Sequence, residues 1–312
     1  MAKKQGVKVF TYWQSALQET HPREDYSLYD ARAGAFAVAD GVGLYEGIEY
    51  RGRYPRVSGS YRIAHAFCNG FVSYFRGKPN GMLLGGFRAG NAAAKAVNRG
   101  RSRYDVIERH RCPHAATAAM AVIRKDILEW GRLCDAGVAV ISKRGAVKLN
   151  KSECSFYVPF RGTVDQGTSL SWILFLRTIA RNAVGPGGKL LGYGVVTGEK
   201  EAEQYLERGK QRLFPGDAVL LYTDGFAPYV TLPQFRRIVA GVIDARELQK
   251  QLHKLVEKRS APFRKALHGH RLSKRASSDV IEKKLAHILG PHIRLAIWSK
   301  EKTLIVVRPV GV

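Results

Sequence analysis

Three aspartates stand where a run of apolar residues begins or gives out. Asp40 closes the segment AFAVAD and is followed by Gly41, and Asp224 closes AVLLYTD and is followed by Gly225. Asp135 opens the run AGVAVI. An Asp at the end of a buried strand presents its carboxylate at a rim. The Gly beside it lets a ligand approach the backbone, with a carbonyl able to face a cation. Carboxylates gathered at one rim repel one another and need counter-charge, and a divalent metal ion with oxygen ligands is the usual solution. One Asp-Gly alone is weak evidence, because the pair is also a common turn dipeptide. Order and spacing along the chain give the three their weight.

The elements that would position them read as follows. A strand pair brackets residues 26–40, with a turn over 31–34, and residues 44–57 form a polar loop. From Ser58 the apolar residues Ile63, Ala64, Phe67, Phe71, Val72 and Phe75 recur at three- and four-residue steps, which predicts a helix. A second helix over 82–97 carries small residues suited to close packing. After a basic linker, residues 115–148 hold three apolar runs divided by turns at Lys125-Asp126 and Arg144-Gly145, which predicts an antiparallel meander. A turn at Pro215-Gly216 leads into a buried strand over 218–222. Helical segments are expected over 232–257 and 277–289, and strands over 292–299 and 303–310, joined by the turn Lys300-Glu301-Lys302. Strands, two helices, strands, two helices and strands make an α+β arrangement in one domain spanning 1–312.

Composition narrows the class. The chain has 312 residues, 45% of them hydrophobic, so it can build a sizeable core and global disorder is excluded. Cys68, Cys112, Cys134 and Cys154 form no CxxC pair, which supports neither a disulfide scaffold nor a zinc ribbon. The N-terminal segment lacks a signal-peptide apolar stretch and no run is long enough to span a bilayer, so the expectation is a soluble cytoplasmic protein with no membrane partner. The formal charge of +25 is spread along the chain and is densest over 254–275, with eight Lys/Arg against one Glu. That stretch reads either as a docking loop for an acidic or polyanionic partner or as a solvated insertion between helices. Without interleaved aromatics or a recognised motif, nucleic acid is not the expected partner. The run GPGGKLLGYG at 185–194 lacks P-loop spacing and reads as a loop. Cys112 and the histidines beside it offer soft ligands without a second pair.

Six segments, in order, resemble the metal-dependent Ser/Thr protein phosphatases (PPM, type 2C). Arg23-Glu24-Asp25 resembles that family's N-terminal acidic pair, AVADGVG its VADGMGG, and AATA at 115–118 its GTTA strand. CDAGVAVISKRG resembles GDSRVYLLRNG, PGDAVLLYTDG its GD-to-SDG strand, and KEKTLIVV its C-terminal DDxTLVVV. The resemblance implies a four-layer αββα sandwich with the active site at one end of the two sheets. It implies two Mg²⁺ or Mn²⁺ ions and a weakly held third. The ions activate a water that attacks a phosphoserine or phosphothreonine of a protein substrate in line. By the same resemblance Asp40 would bridge the two ions, with the Gly41 carbonyl on one and Asp224 on the other. Glu24 and Asp25 would hold the ions' waters, and Asp135 would meet the third ion. Asp40, Asp224 and Glu24 are thus the implied catalytic set.

Two positions depart from the pattern. The C-terminal family Asp falls on Lys300, with Glu301 one residue later, and the phosphate-gripping Arg falls on Thr20, leaving Arg23 as the implied phosphate ligand. The alternative reading is therefore a pseudophosphatase that keeps the fold to bind phosphoproteins or polyanions.

Overall fold

The computed structural model describes residues 6–14, 23–42, 57–102, 112–142, 145–148, 179–226, 230–241, 245–269 and 302–310. Its first strands are β1 (Gly6–Gln14), β2 (Tyr26–Asp30), β3 (Ala35–Gly41), β4 (Ala116–Arg124) and β5 (Ile127–Leu133). They are followed by β6 (Gly137–Ser142), β7 (Gly145–Lys148), β8 (Glu207–Arg212), β9 (Ala218–Tyr222) and β10 (Lys302–Val310). The helices are α1 (Gly59–Gly77), α2 (Leu83–Val97), α3 (Leu232–Gly241) and α4 (Ala245–Gly269). Among the described residues the strands form two antiparallel five-stranded sheets, ordered β1-β10-β9-β6-β7 and β2-β3-β4-β5-β8.

The period-two pattern of the central strands decides the layering. Ala35, Ala37 and Ala39 of β3, with Ala116, Ala118, Met120 and Val122 of β4, pack against Phe67, Phe71 and Phe75 of α1 and Phe87 of α2. Their alternates Phe36, Val38, Ala119, Ala121 and Ile123 face Val219, Leu221, Ile305 and Val307 of the other sheet. Leu220, Leu304 and Val306 point away from that interface, onto Phe235 of α3 and Leu248, Leu252 and Val256 of α4. Helix pair, sheet, sheet and helix pair are thus four layers holding three apolar seams, the α+β sandwich expected from sequence. Alanine on the helix-facing side of β3 lets the phenylalanines of α1 approach the backbone. Helices α1 and α2 fit through glycine: a Cβ at Gly90 would lie 2.7 Å from the Phe67 ring, and one at Gly86 would lie 2.4 Å from Phe75.

Ser58 caps α1, its hydroxyl accepting from the Tyr61 amide at 3.0 Å. The β4–β5 turn is tight, with Lys125 at φ 52, and the turn before β9 places Gly216 at φ 88.

Three expectations are corrected. The runs over 115–148 are not one meander: β4 and β5 pair in one sheet, whereas β6 and β7 lie in the other. The chain changes sheet at Cys134, whose φ is 60, and both sheets need apolar faces here, so local pattern cannot separate them. The helical stretch expected over 232–257 is two helices, and α4 runs through residues 254–269, so that much of the basic stretch is helix rather than an inserted loop. The buried Leu248, Leu252 and Val256 at four-residue steps anchor it. Strand β1 was not expected, because its period-two pattern is short and sits in a basic segment. The helix expected over 277–289, the strand over 292–299, Thr20, Lys300 and Glu301 lie outside the described residues. No helix among the described residues is long and apolar enough to cross a membrane.

Candidate metal and phosphate site

The seam between the sheets turns polar at one end, and it does so on four adjacent strands at once. Following the inward-facing alternation, Phe36 and Val38 are succeeded by Asp40, and Ala121 and Ala119 by Thr117. Val219 and Leu221 are succeeded by Thr223, and Val307 and Ile305 by Thr303. Asp40 and Thr117 are register partners across β3 and β4. Thr223 donates its amide to the Thr303 carbonyl at 3.0 Å and accepts the Thr303 amide on its hydroxyl at 3.0 Å. The strands thereby deliver their last inward side chains to one place.

Two further segments close on that place. Asp25, 1% exposed, receives the Thr223 hydroxyl on Oδ2 at 2.8 Å. The Gly41 amide donates to the Glu24 carbonyl at 3.2 Å, and the Ser60 hydroxyl donates to the Val42 carbonyl at 2.6 Å. Gly41 has no room for a side chain: a Cβ there would lie 2.9 Å from both the Glu24 oxygen and the Ser60 carbonyl carbon. Glycine at this position therefore lets the Glu24-Asp25 segment, the end of β3 and the start of α1 touch. Asp224 follows Thr223 directly and is buried, as is Glu24.

The electrostatics are those of crowded carboxylates. The Asp25 carboxyl is pushed up to about 6, first by burial and then by the charge of Asp224, while hydrogen bonds from Asp40 and the Thr223 hydroxyl pull it part of the way back. Asp25 and Asp40 thus lie within hydrogen-bonding reach, and Asp224 is near enough to act through its charge. Among the described residues, no three or more His, Cys, Asp or Glu side chains converge tightly enough to form a metal cage by themselves. The buried Thr117 hydroxyl has no hydrogen-bond partner among them. Hard oxygen donors, buried, mutually repelling and beside an unsatisfied hydroxyl, suit Mg²⁺ or Mn²⁺ and not a soft metal. The buried Cys68 thiol does not compete as a nucleophile. Burial, and then the charge of Asp25, hold the Cys68 thiol far above its ordinary range, and its Sγ lies 3.8 Å from the Tyr26 carbonyl.

Of the residues expected from sequence, Asp25 thus interacts with Asp40 by hydrogen bond and with Asp224 through charge, while Glu24 meets the end of β3 through its backbone carbonyl on the Gly41 amide. Asp135 stands exposed at the crossover between the sheets, two residues before Gly137, the register partner of Tyr222. The crossover is held from below by the buried Arg132, which donates to the Cys134 carbonyl and pairs with Glu207 at 2.6 Å. Arg23 is exposed, its Nε donating to the Asp25 carbonyl at 3.0 Å. Thr117, Thr223, Thr303 and Ser60 were not singled out from sequence. The signal for the three threonines was strand parity, each being the next inward position after an apolar run. The 185–194 segment is a loop containing a short 3₁₀ turn, as expected, and His114 packs against Gly59.

No protein-family model matches the sequence, and no curated protein is significantly similar to it. Solved structures do match. The serine/threonine phosphatase PstP/Ppp of Mycobacterium tuberculosis superposes with a TM-score of 0.58 at 14% identity, covering 97% of this chain and 98% of its own. PppA of Pseudomonas aeruginosa, a regulatory component of its type VI secretion system, gives 0.58 at 16%, covering 98% of both chains. The PPM Ser-Thr phosphatase MsPP of Mycobacterium smegmatis, solved with cacodylate, gives 0.56 at 11%, covering 96% of this chain and 97% of its own. This chain has the PPM phosphatase fold. The PPM sandwich covers nearly its whole length, while identities of 11–16% explain why the likeness is carried by short segments. The catalytic domain of PstP has also been solved with two manganese ions.

Proposed function

We propose that the chain is a cytoplasmic, metal-dependent phosphoprotein phosphatase, a single domain that hydrolyses phosphoserine and phosphothreonine. The observation that carries this reading is the meeting of Asp25, Asp40 and Asp224 where four inward strand faces turn polar. In this reading Asp40, the Gly41 carbonyl and Asp224 would hold two Mg²⁺ or Mn²⁺ ions. Glu24 and Asp25 would hold the ions' waters, and Asp135 would meet a weaker third ion. When bound, such ions neutralise phosphate charge and lower the pKa of a water for in-line attack at phosphorus. The chain itself supplies the positioning. Thr223 fixes Asp25 by its hydroxyl, Ser60 and Gly41 lock the end of β3 against the Glu24-Asp25 segment, and Arg23 is the cation beside the site for the phosphate oxygens.

The test is phosphate release from a phosphothreonine peptide in Mn²⁺ and in EDTA. Release in Mn²⁺ alone supports the enzyme, and no release above background in either overturns it. A pseudophosphatase would bind the phosphopeptide without releasing phosphate. The acidic partner expected for 254–275 would meet Lys254 and Lys258 on α4, which are exposed four residues apart, roughly 6 Å along the axis, and continue a row begun before the stretch by the exposed Arg246 and Lys250.

A further inference from the structure

Immediately outside the carboxylates, rings and cations alternate along the surface. Trp13 is 43% exposed, and the Arg23 guanidinium lies 4.8 Å from its ring centroid and 6.0 Å from that of Tyr26. Tyr26 continues the row, meeting His65 edge-on at 4.6 Å and Tyr61 at 6.0 Å. Tyr61, Arg62 and His65 line a cavity of about 290 Å³. Both ends of the row are tied to the site. Arg23 and Tyr26 flank Glu24 and Asp25 in the chain, and Tyr61 follows Ser60, whose hydroxyl holds the Val42 carbonyl.

The placement has a use. Trp13 and His65 are exposed, and Tyr26 and Tyr61 are half-buried, Tyr26 with its inner side on the core, so ring edges and faces line a groove against which a peptide can lie. Arg23 and Arg62 make that surface positive, and His65 adds a ring nitrogen. Charge complementarity then selects negative side chains. We infer that this strip is the subsite for the part of a phosphoprotein substrate that flanks the phosphorylated residue, and that it selects acidic residues there. The inference rests on the phosphatase reading of the adjoining carboxylates.

The experiment uses the full chain with Mn²⁺ and fluorescein-labelled peptides bearing a non-hydrolysable phosphonate in place of phosphoserine, flanked by Glu, Ala or Lys. Binding is read by anisotropy, and turnover is read separately with p-nitrophenyl phosphate. The wild type is expected to bind the Glu-flanked peptide about tenfold more tightly than the Ala-flanked one, with the Lys-flanked peptide weakest. Arg62→Glu should erase or reverse that order, and His65→Ala should weaken it, with turnover of p-nitrophenyl phosphate unchanged in both. Equal binding of the three peptides by the wild type, or an unaltered order in Arg62→Glu, overturns the inference. Since binding needs no turnover, Glu-selective binding by a protein that hydrolyses neither p-nitrophenyl phosphate nor the phosphothreonine peptide keeps the subsite and overturns the phosphatase reading.

Discussion

Asp25→Asn separates the stability of the fold from the demands of the site. In the metal-free protein the Asp25 carboxyl is pushed from 3.8 up to about 6, mainly by burial, with Asp224 adding repulsion. A group whose folded pKa is raised stabilises the protein fully below its unfolded pKa, and that stability is lost as pH rises through the folded value. Ionising this buried carboxyl therefore costs the wild type about 3 kcal/mol at pH 7.5, a burden that falls to about 1 kcal/mol at pH 4.5. Asparagine keeps the shape and an oxygen for the Thr223 hydroxyl, without the charge. Allowing about 1 kcal/mol for imperfect replacement of the carboxylate's hydrogen bonds, Asp25→Asn should be more stable than wild type by about 2 kcal/mol at pH 7.5. At pH 4.5 it should be no more stable. The assay is urea unfolding followed by circular dichroism in EDTA at both pH values. Addition of Mn²⁺ should then stabilise wild type more than the variant, because ligand binding to the folded state is what the ionised carboxylate serves. A variant less stable than wild type at pH 7.5, or one with the same difference at both pH values, would refute the reasoning.

Gly41→Ala should lower kcat/KM about a hundredfold, because the added methyl forces the Glu24 carbonyl and Ser60 apart, and misplacements of an ångström carry such costs; steady-state kinetics within twofold of wild type would contradict it. Thr223→Val should cost about 1–3 kcal/mol in urea unfolding, since it strips Asp25 of a buried donor and the Thr303 amide of its acceptor. On α4, Lys250→Glu with Lys254→Glu should weaken binding of an acidic polypeptide such as polyglutamate and flatten its salt dependence, while p-nitrophenyl phosphate turnover stays at the wild-type rate.

Much of the architecture was legible because alternation and helical spacing are local signals. Ile63, Phe67, Phe71 and Phe75 marked α1, and AFAVAD and AVLLY marked the central strands that carry Asp40 and Asp224. The harder elements were those whose pattern needs a partner. Strand β8, ERGKQR, is polar and alternates only between half-buried and exposed, so nothing but its pairing with β5 makes it a strand. The crossover at Cys134 fell inside what reads as a single apolar run, because β5 and β6 are both largely buried and no residue states which sheet it joins. At the site, the aspartates showed themselves through chemistry and the resemblance. The threonines did not, since Thr117 and Thr303 acquire meaning only when four strand ends are seen to meet. Asp25 and Asp224, far apart in sequence, become one electrostatic group only through the sandwich.

The central claim, a metal-dependent hydrolytic site built on Asp40, is tested most directly by one titration. Metal-stripped wild type and Asp40→Asn are supplied with increasing Mn²⁺, and the initial rate of phosphate release from a phosphothreonine peptide is measured. The wild type should rise from background along a saturating curve and return to background in excess EDTA. Asp40→Asn, confirmed as folded by circular dichroism, should stay at least a hundredfold lower at every Mn²⁺ concentration, in line with the loss of a group that orients both reactants. Release by the wild type that is indifferent to EDTA, or an Asp40→Asn curve that matches it, would contradict the account.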